Sequence, residues 1–246
     1  MSKFRSRKRE FETLLLPPAW PADADAVPEA AGEIAGMESV SPLLALLPRG
    51  GLLKWRAVII LGRVVAGFAE TGMEEGRTVM RRCMWHLNED SGNMGWGVAE
   101  AMGEILAASP ALAAEYGRVV LSYLRDTGFA DNYIDHAVLR RGAYWAVGRF
   151  APLYRGFRRE AAELLELGLE DEDARCRGVA AWGVGNLAAQ GCPSGEAERR
   201  RLAALLGRVG EDQDECDVLV GLHCRAESAA AFARRALNRL AEPCAD

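Results

Sequence analysis

The side chains best suited to nucleophilic, acid–base or metal chemistry are few in this chain and poorly spaced for it. Only three histidines occur, His86, His136 and His223, and none forms an HExxH pair. The six cysteines, Cys83, Cys176, Cys192, Cys216, Cys224 and Cys244, include no CxxC pair, so they read as free thiols of a reducing compartment. Cys216, His223 and Cys224 make at most a weak metal cluster, because neighbouring side chains point apart. Glu100 and Glu104 stand one helical turn apart. As a general acid–base pair they would need burial and a substrate pocket; salt bridges to Arg141 and Arg149 of the next repeat are the plainer expectation. The string GVGNLA, Gly183 to Ala188, matches a dinucleotide loop by its letters. That mechanism needs a preceding strand and a helix that opens at the glycines, and here the string falls inside a helical pattern. No Walker lysine loop or nucleophile elbow occurs. No catalytic residue, metal or cofactor is therefore expected.

The elements that must position any site come from a repeat. Four segments align: KWRAVIILGRV from Lys54, GWGVAEAMGEI from Gly95, RRGAYWAVGRF from Arg140 and RGVAAWGVGNL from Arg177. Their shared glycines, Gly62, Gly103, Gly148 and Gly185, lie 41, 45 and 37 residues apart, the spacing of a two-helix solenoid unit. The positions five, two and one before that glycine and two after it are apolar or Gly in every copy. They form one helical stripe, and the small residues in it let helices approach closely. Between these helices lie amphipathic stretches suited to the first helix of each pair, such as EEGRTVMRRCMWHLN and FRREAAELLELGLED. The expected fold is all-α, an α-solenoid of about five helix pairs over residues 41–246, ending in a capping helix over 226–241.

In the second repeat, Trp85 is expected to end the first helix. NEDSGN, residues 88–93, makes the turn, and Asp90 or Ser91 caps the next helix. Gly92, Gly95 and Gly97 permit tight backbone approach. An anion site at that helix start is the alternative, which the adjacent acids oppose.

The segment DEDARCRGVAAWGVGNLA resembles the HEAT-like repeat of the bilin-lyase type: an Asp, an Arg four residues on, an Ala pair, then small–apolar–Gly. Asp173, Arg177, Ala180, Ala181 and Gly185 match. Arg140 keeps the Arg, Lys54 replaces it and Gly95 loses it. MRRCMWHLNEDSGNMGWG followed by EAMGEI also resembles an uncharacterised bacterial HEAT-repeat family. The resemblance implies the fold over roughly residues 40 to 225. It supplies no activity of its own; a HEAT-like enzyme or accessory subunit, bilin-lyase-like or DNA-glycosylase-like, is the alternative it implies to the non-catalytic scaffold expected from the groove residues below.

In such a fold the second helices line the inner face, so their non-core rows are the candidate binding residues. Three before the shared Gly stand Ile59, Glu100, Trp145 and Trp182; seven before stand Trp55, Trp96, Arg141 and Gly178; one after stand Arg63, Glu104, Arg149 and Asn186. These rows are four residues apart and share a helix face. Trp96, Glu100, Glu104, Arg141, Trp145, Arg149, Trp182 and Asn186 are thus the candidate groove, since Trp and Arg dominate binding hot spots. The alternative role of the tryptophans is to fill space between repeats. A protein or peptide is the expected partner. The net charge of −5 opposes a nucleic-acid partner, and no run long enough to cross a membrane occurs, so no membrane partner and a cytoplasmic location are expected. Residues 1–40 carry Lys3, Arg5, Arg7, Lys8 and Arg9, then a Pro/Ala/Asp stretch around Trp20. They are expected to form a flexible arm, with Trp20 docking on a partner or on the solenoid as the functional alternative.

Overall fold

The computed structural model describes residues 3–88, 95–128 and 132–242. Five helix pairs follow one another: α3 (Met37–Leu44) with α4 (Gly51–Thr71), α5 (Met73–Leu87) with α6 (Val98–Ala108), α7 (Pro110–Ser122) with α8 (Ala137–Phe150), α9 (Arg155–Gly168) with α10 (Ala174–Ala188), and α11 (Glu196–Val209) with α12 (Ala229–Ala241). Two further helices, α1 (Lys3–Leu14) and α2 (Glu29–Gly32), precede them. The residues group into two compact units, 1–116 with 219–225, and 117–218 with 226–246.

Within each pair the two helices differ as their sequences require. The first helix, such as α9, is amphipathic and buries one stripe, Ala161, Ala162, Leu164, Leu165 and Gly168. α10, a second helix, is apolar or small and fully buried from Gly178 to Gly185, whereas α12, which ends the array, buries one stripe, Ala229, Ala230, Phe232, Ala233, Ala236 and Leu240. The start of α10 is set by Asp173, whose carboxylate accepts the Cys176 N–H at 2.8 Å, a bond that satisfies one of the helix's free donors. GVGNLA lies inside this helix.

In the first unit, α6 packs along α4. The N-terminal forty residues differ from the loose arm expected of them. Lys3–Leu14 is helical, and Phe11, Leu15 and Trp20 are buried. The cause is Arg56 of α4, a fully buried guanidinium. It donates to the carbonyl oxygens of Leu15 at 2.9 Å, Trp20 at 2.7 Å and Pro21 at 2.7 Å, and its Cζ lies 4.8 Å from the centre of the Trp20 ring. Burial lowers its pKa from the ordinary value, and the three carbonyl dipoles compensate the lost hydration. Trp20 thus docks on the repeat domain of its own chain.

In the second unit α10 packs extensively against both α8 and α12. Small residues bring the backbones together. A Cβ on Gly148 would stand 2.7 Å from the Gly183 Cα, and one on Gly185 would touch Ala236 at 3.4 Å. The repeated Arg eight before the shared glycine forms a clamp in both copies. Arg140 binds the Asp171 carboxylate through Nε at 2.6 Å and Nη2 at 2.9 Å, and donates to the carbonyls of Ile134 and Asp135. Arg177 binds Asp212 at 2.7 and 3.0 Å and donates to the carbonyls of Asp171 and Glu172. In the first unit Lys54 takes the same place and pairs with Glu100 at 3.1 Å. The fourth copy, Gly95, has no room for a side chain, since a Cβ there would lie 2.9 Å from the His86 carbonyl oxygen.

One element lies outside the all-α expectation. Residues 215–228, of which 226–228 were expected to open the capping helix, form a two-stranded hairpin of β1 (Glu215–Val220) and β2 (His223–Ser228). Gly221, at φ +62°, starts its two-residue turn, which requires a left-handed backbone. The capping helix begins after it, with Ser228 accepting the Ala231 N–H at 3.3 Å.

Arg56→Met removes every donor to three carbonyls while keeping much of the side-chain volume. It is expected to lower stability by about 3 kcal/mol and to expose residues 15–25 to proteolysis. Urea unfolding and limited digestion check it; a loss under about 1 kcal/mol would show that water replaces the clamp.

Candidate functional site

The three rows of the inner helices differ in depth. The row three before the shared glycine, Ile59, Glu100, Trp145 and Trp182, is buried throughout. Trp145 is 1% exposed and Trp182 9%. Their rings stack with centroids 5.9 Å apart and planes 5° apart, so each covers a face of the other. This pair joins α8 to α10 as packing. Glu100 is drawn in by Lys54, a partner different from the Arg141 that the repeat order suggested.

The row seven before the glycine divides. Trp55 and Gly178 are buried, Trp96 and Arg141 half-buried. A Cβ on Gly178 would lie 2.7 Å from the Cys216 Sγ of β1 and 2.9 Å from the Ala229 Cα, so the base of the hairpin and the start of α12 cover this end of α10. Arg141 meets Asp173 at 3.2 Å.

The row one after the glycine is the accessible one. Arg63 is exposed, and Glu104, Arg149 and Asn186 are half-buried. In the second unit this row is fixed by hydrogen bonds. Asn186 Nδ2 donates to the Gly148 carbonyl at 3.1 Å; Pro152, four residues beyond Gly148, has no N–H to offer that oxygen. Arg239 of α12 then donates to the Asn186 Oδ1 and to the Gly185 carbonyl, both at 3.1 Å. Three consecutive inner helices are thereby joined through one amide. Arg149 stands close enough to Tyr154 to act against the burial that raises the phenol's pKa.

Four of the cysteines are held as thiols. Burial pushes the Cys83 and Cys216 thiols up to about 12 and raises Cys176 and Cys192 as well, so thiolate is scarce at neutral pH. Cys244 lies outside the described residues, as do Glu89, Asp90, Ser91 and Gly92 of the expected capping turn. His86 packs edge-on against Trp85 at 5.2 Å, and His223 Nε2 lies 3.4 Å from Asp25 Oδ1. Among the described residues no group of three His, Cys, Asp or Glu is disposed to hold a metal ion, and no helix is long and apolar enough to cross a membrane.

Sequence reasoning missed the Arg56 clamp, the hairpin over Gly178 and the Arg239–Asn186 link. Only the hairpin had a local signal, the apolar Cys216 and Val218 alternating with Glu215 and Asp217, followed by Gly221.

These features define an all-α helical-repeat protein of the α-solenoid class. No protein-family model matches the chain, and no curated protein matches it. Solved structures do. A designed armadillo repeat protein in complex with the peptide (KR)4 is similar over 96% of this chain and 92% of its own, at 15% identity and a TM-score of 0.52. A second designed armadillo repeat protein matches over 96% and 91%, at 16% identity and a TM-score of 0.50. At that identity the likeness is one of fold.

Gly148→Ala is expected to lower stability by about 2 kcal/mol, because its Cβ meets backbone. Gly207→Ala, in α11 with nothing within 4 Å, is expected to raise it by about 0.7 kcal/mol. Chemical unfolding of both variants checks the close approach, which equal effects would disprove.

Burial opposes the Asp171 charge, but bonds from Arg140, the Asp173 N–H and Tyr144 outweigh it and hold its pKa below the ordinary carboxylate value. A depressed folded pKa gives stability that is complete above the unfolded value and fades as pH falls through the folded one. The stability gap between wild type and Asp171→Asn should therefore be constant above about pH 5 and shrink steadily below about pH 4. A gap independent of pH would contradict this.

Proposed function

We propose that the protein is a non-catalytic scaffold whose inner helices hold an extended segment of a partner protein. The observation that carries this reading is the accessible row one after the shared glycine: polar, pre-positioned side chains on a backbone too tightly packed to adjust. Arg149 and Asn186 are the contacts of the second unit, with Arg141 beside them. Arg63, Glu104 and Trp96 are those of the first. Trp145, Trp182 and Glu100 lie beneath as support, so replacing them tests folding rather than recognition. A scaffold of the HEAT-like kind suggested by the Asp173–Arg177 segment fits the same reading. Further support comes from the fold neighbour that was solved holding a peptide.

The charge of the row indicates the class of segment. The row has Arg63 and Glu104 in the first unit and Arg149, with the adjoining Arg239, in the second, so its cations outnumber its acids and an acidic or carbonyl-rich extended peptide suits it better than the basic peptide of the neighbour. Rigid inner helices reduce the ordering cost of binding, and arginine offers the directional donors that carboxylates accept.

Fluorescence anisotropy with acidic, neutral and basic peptides tests this directly. Acidic peptides are expected to bind tightest. Arg63→Ala with Arg149→Ala should weaken them about tenfold with helicity unchanged. A preference for basic peptides, or an unchanged affinity in the variant, would overturn the assignment.

A further inference from the structure

Arginines of the second unit hold carboxylates in one repeated way. Arg140 grips Asp171 through Nε at 2.6 Å and Nη2 at 2.9 Å, while its Nη1 donates to two main-chain carbonyls, those of Ile134 and Asp135. Arg177 grips Asp212 through the same edge, Nε at 2.7 Å and Nη2 at 3.0 Å, while its Nη1 donates to the carbonyls of Asp171 and Glu172. The bonds on Nη1 fix the plane of the guanidinium. The parallel Nε–H and Nη2–H then meet the two oxygens of a carboxylate as a fork. In the first unit Arg77 uses this edge on Glu115, at 2.8 and 2.6 Å.

Arg239 of α12 makes half of this arrangement. Its Nη1 donates to the Gly185 carbonyl and to the Asn186 Oδ1, both at 3.1 Å. The amide it meets is itself held, because Asn186 Nδ2 donates to the Gly148 carbonyl at 3.1 Å. The other edge is open. Among the described residues no acceptor lies on Nε or Nη2 of Arg239, no Asp or Glu pairs with it, and the residue is exposed. Arg56 also has two carbonyls on Nη1, but there a third, that of Pro21, occupies Nη2. Arg239 is thus a guanidinium already oriented on one side, with the carboxylate edge facing solvent.

We propose that Arg239 is the carboxylate-selecting residue of the inner row, its Nε–Nη2 edge taking one Asp or Glu side chain of the extended partner segment. The inference rests on the scaffold function proposed for that row and narrows it. The bound carboxylate completes the clamp that Asp171 and Asp212 complete within the chain. Two bonds orient the fork before binding, so little side-chain freedom is lost when the acid arrives. The edge also discriminates. A carboxylate presents two acceptors to the two donors, whereas a Gln side chain presents one acceptor and sets its own N–H groups against the other donor.

Fluorescence anisotropy of the full chain with labelled octapeptides of Glu and of Gln tests this. Wild type is expected to favour the Glu peptide. Arg239→Lys keeps the charge and loses the fork. It should weaken the Glu peptide about tenfold and leave the Gln peptide unchanged. An equal loss for both peptides would assign Arg239 to holding α12 against α10 and overturn the proposal. So would equal binding of the Glu peptide by wild type and Arg239→Lys, which leaves the scaffold reading standing. A second readout separates the two claims. Titration with glutarate should shift the Arg239 Nε–H proton resonance, identified by its loss in Arg239→Lys. A shift without binding of either octapeptide would sink the scaffold reading and keep the carboxylate edge; no shift would overturn the edge.

Discussion

Asp171 carries the order of the second unit. Its carboxylate closes the Arg140 clamp at the start of α8, while its carbonyl oxygen accepts from Arg177 at the start of α10. Its Oδ1 also accepts the Asp173 N–H, which orients the residue that caps α10. One residue between two repeats is therefore bonded to the inner helix on each side. Removing one member of a buried pair typically costs about 3–5 kcal/mol. The clamps set the register at one end of the inner helices, and at that register glycine must face glycine, as Gly148 faces Gly183. The small-residue seam follows from the clamps, and the clamps can close only because the seam is narrow.

The same constraint shapes the surface. Helices this close leave little of their circumference free, so large side chains on the inner rows go either under the neighbouring helix or beyond it. Trp145 and Trp182 go under and stack. Arg149 and Asn186, one turn further along, emerge beside the Gly148 carbonyl. The result is a polar row over a packed aromatic floor, in which the Asn186 amide is bonded to Gly148 and to Arg239. The first unit uses Arg56 in a comparable way, with main-chain carbonyls as its acceptors, to bind the N-terminal segment.

Much of this was legible in the sequence. The glycines at 62, 103, 148 and 185, the apolar stripe around them and Asp173 before Arg177 specify the helix pairs because they act locally or at a fixed period. The depth of the rows was not legible. Positions three before and one after the glycine differ by about one turn and 40°, and only the neighbours on both sides decide that Trp182 is covered while Asn186 is not. The N-terminal segment reads as a polar arm because its anchor is Arg56, more than thirty residues away and contacting only main chain, which leaves no trace in side-chain pattern. The hairpin was hidden by the repeat itself: Cys216, Val218 and Leu219 also suit a helix in the expected register, and Gly221 was the only residue to signal a strand turn.

Native-state hydrogen exchange of the second unit tests the account most directly. If Asp171 and the glycine seam bind α8 and α10 into one cooperative element, their core amides, from Ala143 to Val147 and from Val179 to Val184, will exchange with a single opening free energy equal to that of global unfolding. If α8 opens on its own, with a free energy several kcal/mol below that of α10, the two helices are merely adjacent and the clamp does not join them.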